Sequence, residues 1–402
     1  MTKTTATRLA AFVLAAASAT ALAAPTPASL GEAIFRDTSL SSSGRMACST
    51  CHDPARAHAQ DNDLSVQLGG ADMATPGFRA VPSLRYMNPN MPFFFANDGT
   101  PTGGFTRDGG ANDLIAQAHT PILAAHEMDN IDAAGFAARL GAAAYADDFR
   151  ALFGADVFAN PDLALLAAEY ALSEYQRTDA EFHPFDSKFD LFLQRKIMLS
   201  PQELRGLALF NRKDKGNCAA CHPSTSVGGQ PPVFTDYTYD NLGVPRNPQI
   251  PANADADYFD MGLCGPFRMD LAARTDLCGQ FKVPTLRNVA TRHVFFHNGY
   301  FHDLKTAIEF YVQRDTDPEK WYPLDAKGRV RKFDDIPSLL ARNVNTSEAP
   351  YDRKPGQAPA LSDAEIDDVV AFLKTLTDGY DPITDSADPA RSARGVKSVD
   401  KL

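Results

Sequence analysis

One pattern of cysteine and histidine occurs twice in this sequence, as Cys48-Ser-Thr-Cys51-His52 and as Cys218-Ala-Ala-Cys221-His222. The spacing suits covalent attachment of a c-type haem, with two thioether bonds from the cysteines and an axial imidazole from the adjacent histidine. A single copy would also suit a redox-active or zinc-binding pair. Two copies, each followed directly by histidine in a chain with an export signal, favour haem at both. The expected cofactors are two covalently bound c-type haems.

The export signal is at the N-terminus. Lys3 and Arg8 precede an apolar run from Leu9 to Leu22, and Ala21-Leu22-Ala23 stands before Ala24-Pro25. A basic start, a short apolar stretch and small residues at a cleavage point describe a secretory signal peptide over residues 1–23. The run is short for a bilayer span, and no cysteine stands at the cleavage point to carry a lipid. No later segment reads as a membrane span, so the expected location is an oxidising compartment, most simply a bacterial periplasm. At 402 residues, 44% hydrophobic and 22% charged, the chain suits one large or two ordinary domains. Its net charge of −11 becomes −13 without Lys3 and Arg8. That balance gives no support to nucleic-acid or anionic-membrane binding and suits basic partners.

Cys264 and Cys278 lie outside the two motifs, and neither has a histidine at ligand spacing. In an oxidising compartment a short-loop disulfide is the preferred reading, with a third metal site as the alternative.

The two motifs sit in similar frames. Leu30-Gly-Glu-Ala-Ile-Phe35 precedes the first; Leu204, then Gly206-Leu-Ala-Leu-Phe210, precedes the second. Both stretches read as amphipathic helices entering a haem loop. Ser200-Pro201-Gln202-Glu203 supplies an N-cap, a proline in the first turn and a capping-box glutamate. Further helices are expected over 163–175 and 362–376. Helix, haem loop, helix is the plan of a small cytochrome c domain. The predicted fold is therefore mainly α, with two tandem cytochrome c-like haem domains at 24–185 and 186–380, meeting near 180–195. Long loops are expected at 97–110 and 241–257, and residues 381–402 read as a polar, mobile tail.

Further motifs are Arg107-Asp-Gly-Gly-Ala-Asn-Asp-Leu-Ile-Ala-Gln117, Pro121-Ile-Leu, Glu127-Met128, Phe281-Lys-Val-Pro-Thr-Leu-Arg-Asn288 and Phe296-His-Asn-Gly299. From about Leu30 to Leu376 the chain resembles the bacterial di-haem cytochrome c peroxidase family, including its MauG-like branch. The resemblance implies that the N-terminal haem reacts with hydrogen peroxide and that the C-terminal haem stores or relays electrons.

For the first haem, His52 is the expected proximal ligand. Ordinary family members carry a second histidine in the following loop, whereas Asp61 to Pro82 has none and its only sulfur is Met73. His58 lies too near His52 in sequence to reach the opposite haem face, so an open distal position is expected. The resemblance places Gln117, Pro121 and Glu127 there. Heterolysis of a peroxide needs a proton moved between its oxygens, which a positioned carboxyl can do. The alternative for Glu127 is an ordinary helix-face carboxylate.

For the second haem, His222 is the proximal ligand. The resemblance puts the opposite ligand fourteen residues after His297, at Tyr311, where ordinary members have methionine and MauG-like members tyrosine. A thioether favours reduced iron, whereas a phenolate favours oxidised iron. The substitution points to storage of two oxidising equivalents across both haems. The alternative is that Tyr311 only packs in a helix over 305–313. His293 and His302 are rival ligands, and His297 is expected to hydrogen-bond instead.

Two departures from the family pattern stand out. Family members have tryptophan between the haems where this chain has Arg107, and the chain's single tryptophan is Trp321. The family's interdomain calcium uses an asparagine side chain where Ala80 stands, and Arg292 is the candidate positive charge instead. The leading expectation is a peroxidase that oxidises tyrosine or tryptophan of a partner protein by long-range electron transfer. The others are a detoxifying peroxidase fed by a small cytochrome or cupredoxin, and a di-haem electron carrier without peroxide chemistry. The resemblance also raises a homodimer as an assembly to test.

Overall fold

The computed structural model describes residues 24–393; the predicted signal peptide and the last nine residues lie outside the described residues. The helices are α1 (Pro27–Arg36), α2 (Cys48–Cys51), α3 (Leu114–Leu123), α4 (Ala133–Gly141), α5 (Ala146–Phe153), α6 (Pro161–Thr178), α7 (Lys188–Leu193), α8 (Pro201–Asn211), α9 (Leu304–Gln313), α10 (Asp363–Lys374) and α11 (Pro389–Ala393). Among the described residues, sheet is confined to four antiparallel pairs of very short strands. The fold is mainly α with long connecting loops. Among the described residues no helix is long and apolar enough to cross a membrane.

Local chemistry sets the helix starts. Ser200 and Glu203 cap α8 reciprocally: the Glu203 amide donates to Ser200 Oγ at 3.2 Å, and the Ser200 amide donates to Glu203 Oε2 at 2.7 Å. Ser362 and Glu365 repeat the device on α10, and Asn160 with Pro161 starts α6. Each such cap contributes roughly 1 kcal/mol.

The two units are built alike. In each, the helix before the Cys-x-x-Cys-His loop crosses a closing helix, α1 on α6 and α8 on α10. Glycine stands at both crossings. A Cβ on Gly31 would collide with the carbonyl of Ala171, and one on Gly206 with the carbonyl of Asp368. The helix backbones approach that closely because neither glycine carries a side chain. Around the first crossing, Ile34, Phe35, Phe136, Phe149, Leu172 and Phe182 form one core. Around the second, Phe189, Phe210, Phe234, Phe310, Trp321 and Phe372 form another. Each fully buried Leu, Ile or Phe contributes roughly 1.5–3 kcal/mol. A buried ionic network of Arg85, Tyr86, Asp190, Arg287 and Asp378 lies between the two cores.

Cys264 and Cys278 are disulfide-bonded with Cα atoms 5.0 Å apart. Among the described residues no cluster of three or more His, Cys, Asp or Glu could hold a metal ion.

The mobile tail expected after Tyr380 is corrected over 381–393. Tyr380–Asp381 pairs with Ser386–Ala387, and Ser392 Oγ donates to Asp186 at 2.9 and 3.0 Å. Arg85 Nη2 donates to the Pro389 carbonyl at 3.1 Å. A polar segment is ordered where its polar groups find partners in the folded body, which its composition does not reveal.

Candidate functional site

At the first motif, α2 presents Cys48 and Cys51, and the His52 amide donates to the Cys48 carbonyl at 2.9 Å. The His52 ring turns its Nδ1 to the His58 carbonyl at 3.1 Å. That bond fixes the tautomer and leaves Nε2 as the lone-pair atom, the arrangement of an axial imidazole. Burial pushes the ring's pKa down to about 4, so it is neutral, the form that ligates iron.

The second motif repeats this geometry from a short turn at Cys218–Ala220. The His222 amide donates to the Cys218 carbonyl at 2.9 Å, and Nδ1 donates to the Phe234 carbonyl at 2.7 Å. Burial pushes all four thiols up to about 12, so they stay uncharged. Both motifs line one cavity of about 670 Å³ with largely apolar walls. A fixed-tautomer imidazole beside a pair of neutral thiols, at two places in one apolar cavity, fits two c-type haems.

Gln117, Pro121 and Glu127 come together on this cavity near the first motif. Gln117 and Pro121 lie one turn apart on α3 and so share a face. The chain then turns back, with the Glu127 amide on the Ala124 carbonyl at 2.9 Å. The Glu127 carbonyl accepts from the Gly70 amide at 2.9 Å. A Cβ on Gly69 would collide with the His126 carbonyl, so glycine lets this ribbon clamp the turn. The Glu127 side chain keeps 39% exposure and faces the cavity, whose walls shield it from bulk water. Desolvation pushes its carboxyl up to about 7. Its charge in turn raises Cys48 and Cys51, which places the acid beside the first motif.

The other candidates in this region point elsewhere. Met73 packs on the first core, and its sulfur accepts from Ser43 Oγ at 3.4 Å. The buried ring of His58 packs 4.1 Å from that of Phe182, with Nε2 3.5 Å from Glu181. Neither lines the cavity. His126 does line it, with Nε2 3.6 Å from Glu127. Its adjacency to Glu127 was the available signal.

Tyr311 lies on α9 and lines the cavity beside Cys218 and Cys221. Its ring meets that of Tyr351 edge-on, with centroids 5.1 Å apart. Burial pushes the Tyr311 hydroxyl well above the usual phenol range, so without a cation it stays protonated. The rivals are engaged elsewhere. His293 Nδ1 is 2.8 Å from Asp63, and His302 is exposed; neither lines the cavity. His297 lines it but stacks on Phe281 at 3.7 Å, with Nε2 3.2 Å from Asp335. Trp321 packs against Phe301 and Phe310 in the second core.

Arg107 reaches the cavity wall, and its Nε donates to the Ala80 carbonyl at 2.8 Å. Arg292 Nη2 donates to the neighbouring Val81 carbonyl at 2.7 Å. Calcium needs six to eight oxygen ligands. Position 80 offers a methyl group, and the carbonyls of 80 and 81 face guanidiniums. These residues do not fit a calcium ion.

Two crossed-helix units, each around a Cys-x-x-Cys-His loop and sharing one cavity, define a di-haem c-type cytochrome. The chain belongs to the di-haem cytochrome c peroxidase family, and it is a haem-dependent peroxidase with two c-type haems as cofactors. The model of that family matches residues 25–197. Over 376 residues the chain is 36% identical to the methylamine utilization protein MauG of Paracoccus denitrificans, covering 90% of this chain and 92% of that one. It is 27% identical over 361 residues to the cytochrome c551 peroxidase of Nitrosomonas europaea, covering 87% and 79%. The crystal structure of the diheme peroxidase BthA from Burkholderia thailandensis matches with a TM-score of 0.81 at 37% identity, covering 90% of both chains.

Proposed function

We propose that this exported, periplasmic chain reacts with hydrogen peroxide at the His52 haem site and uses the oxidising equivalents, shared with the Tyr311 side, to oxidise tyrosine or tryptophan of a partner protein. The observation that carries the reading is Glu127: a carboxyl on the cavity wall beside Cys48 and Cys51, with its pKa pushed to about 7 by desolvation. A pKa near the working pH is what a residue that both takes and returns a proton needs.

Cys48, Cys51 and His52 would hold the first haem; Cys218, Cys221, His222 and Tyr311 would hold the second. The haems supply redox-active iron, which the chain itself lacks. Gln117 orients peroxide through its amide. Pro121 occupies space and brings no N–H that would compete for the substrate. Glu127 takes the proton from one peroxide oxygen and delivers it to the other, so that the departing oxygen leaves as water. His126, 3.6 Å away, is placed to hold the carboxyl's orientation. Such proton transfer contributes roughly 10²–10⁴-fold.

A second reading keeps the peroxide chemistry but draws electrons from a small cytochrome or cupredoxin. The cytochrome c551 peroxidases among the relatives favour it, and the acidic chain suits a basic donor. Stopped-flow mixing of the diferric protein with one equivalent of peroxide separates the readings. A fast, long-lived spectral change without pre-reduction supports storage of oxidising equivalents and a protein substrate. Reaction only after one-electron reduction supports the donor-fed peroxidase. No reaction in either state would overturn both readings.

A further inference from the structure

Three cations meet on the cavity wall without carboxylate partners. Arg107, Lys282 and Arg292 all line the cavity, and among the described residues none forms an ion pair. Each is held by backbone carbonyls: Arg107 on Ala80 at 2.8 Å, Lys282 Nζ on Gly104 at 2.7 Å, Arg292 on Val81 at 2.7 Å. The segments are tied together, because the Lys282 amide donates to the Arg107 carbonyl at 2.8 Å. Beside them, Arg79 is fully engaged, bidentate on Asp260 at 2.6 and 2.8 Å and on Asp108 at 2.7 Å. Four cations thus face two carboxylates, which leaves an excess of two positive charges.

Like charges crowded out of water repel, and such a group persists where an anion compensates it. Burial is the main cause that pushes Arg107 down to about 9 and Lys282 down to about 7; the neighbouring cations Arg292 and Arg107 act in the same direction, and Asp260 and Asp108 offset them in part. Backbone carbonyls orient these side chains but do not neutralise them. The anions that the family's cofactors bring to this cavity are the propionate carboxylates, two on each haem.

We infer that Arg107, Lys282 and Arg292 form a carboxylate-binding site for haem propionates at the seam between the two units, and that its two guanidiniums, on the carbonyls of Ala80 and Val81, replace the interdomain calcium ion. The structure motivates both parts. The carbonyls of Ala80 and Val81 accept from guanidiniums, and Ala80 has no side-chain oxygen to offer a metal. The Arg107 that replaces an interhaem tryptophan then has an electrostatic role. The inference rests on the two haem sites and not on the roles of Glu127 or Tyr311.

The test uses the purified holoprotein without peroxide. Metal analysis should find less than one calcium per chain, and a chelator should leave the haem spectra and midpoint potentials unchanged. Reduction adds negative charge to a haem, so a nearby cation favours the reduced form. Arg292→Gln and Lys282→Gln should therefore each lower the midpoint potential of at least one haem, while Arg292→Lys should hold it near the wild-type value. A stoichiometric calcium whose removal shifts the spectra would overturn the replacement. Unchanged potentials in both glutamine variants would overturn the carboxylate site, since a purely structural cation would alter stability alone. If the glutamine variants do not fold, Arg292→Lys together with Arg107→Lys decides the matter: retained potentials support the site, and calcium binding in either variant overturns it.

Discussion

Arg85 Nη1 donates to Asp378 Oδ2 at 2.8 Å, and both side chains are fully buried. The pair joins the segment after the first haem loop to the segment after the last core helix. Asp378 also accepts from the Tyr86 hydroxyl at 2.5 Å and from Asn288 Nδ2 at 2.6 Å. One carboxylate thereby holds both units against each other. Asp378→Asn leaves the Arg85 charge buried without its counter-ion, and removing one partner of such a pair costs about 3–5 kcal/mol. Denaturant unfolding of the holoprotein should show a loss of that size; an unchanged midpoint would mean that the two units hold together without this network.

Glu127→Gln keeps the shape of the side chain and removes the proton acceptor. The rate of reaction with peroxide should fall by roughly 10²–10⁴. In the native protein the carboxyl must be ionised to take the first proton. Its pKa is raised to about 7, so the rate should rise with pH through that value and level off above it. The variant should lose this inflection. Stopped-flow rates across pH 5–9 check both parts, and an inflection that persists in Glu127→Gln would assign it to another group.

Tyr311→Met exchanges an oxygen donor for a thioether. If Tyr311 ligates the second haem, the midpoint potential of that haem should rise, because a thioether favours reduced iron. The first haem should change little. Spectroelectrochemical titration reads both; an unaltered second potential and spectrum would show that Tyr311 only packs against Tyr351.

Gly206→Ala places a methyl group against the Asp368 carbonyl, and Gly31→Ala does the same against Ala171. Both neighbours are helix backbone and cannot swing away. Overpacking of this kind costs about 1–3 kcal/mol. Each variant should lose thermal stability while keeping its haem content, and wild-type melting in both would mean that the helix crossings have slack.

Some of this protein was determined by sequence alone, because the interactions involved span a turn or less. Two thiols and an imidazole within five positions are what marks Cys48–His52 and Cys218–His222 as the proposed haem-attachment sites. Ser200 and Glu203 cap their helix from three residues apart, and α8 begins at Pro201 accordingly. Family motifs brought Gln117, Pro121, Glu127 and Tyr311 into view, and all four line the cavity.

What only the tertiary structure decided depends on groups far apart in the chain. Burial sets the ionisation of Glu127, and burial is the sum of walls contributed by many segments. The Nδ1 partners of His52 and His222 are backbone carbonyls, which no residue type announces. Residues 381–393 pack on the folded body because Asp186 and Arg85 reach them. Arg107, Lys282 and Arg292 read in sequence as separate cations; folding brings them to one wall. Coulombic interaction follows distance in space, and in this chain that distance is set by how two helical units meet.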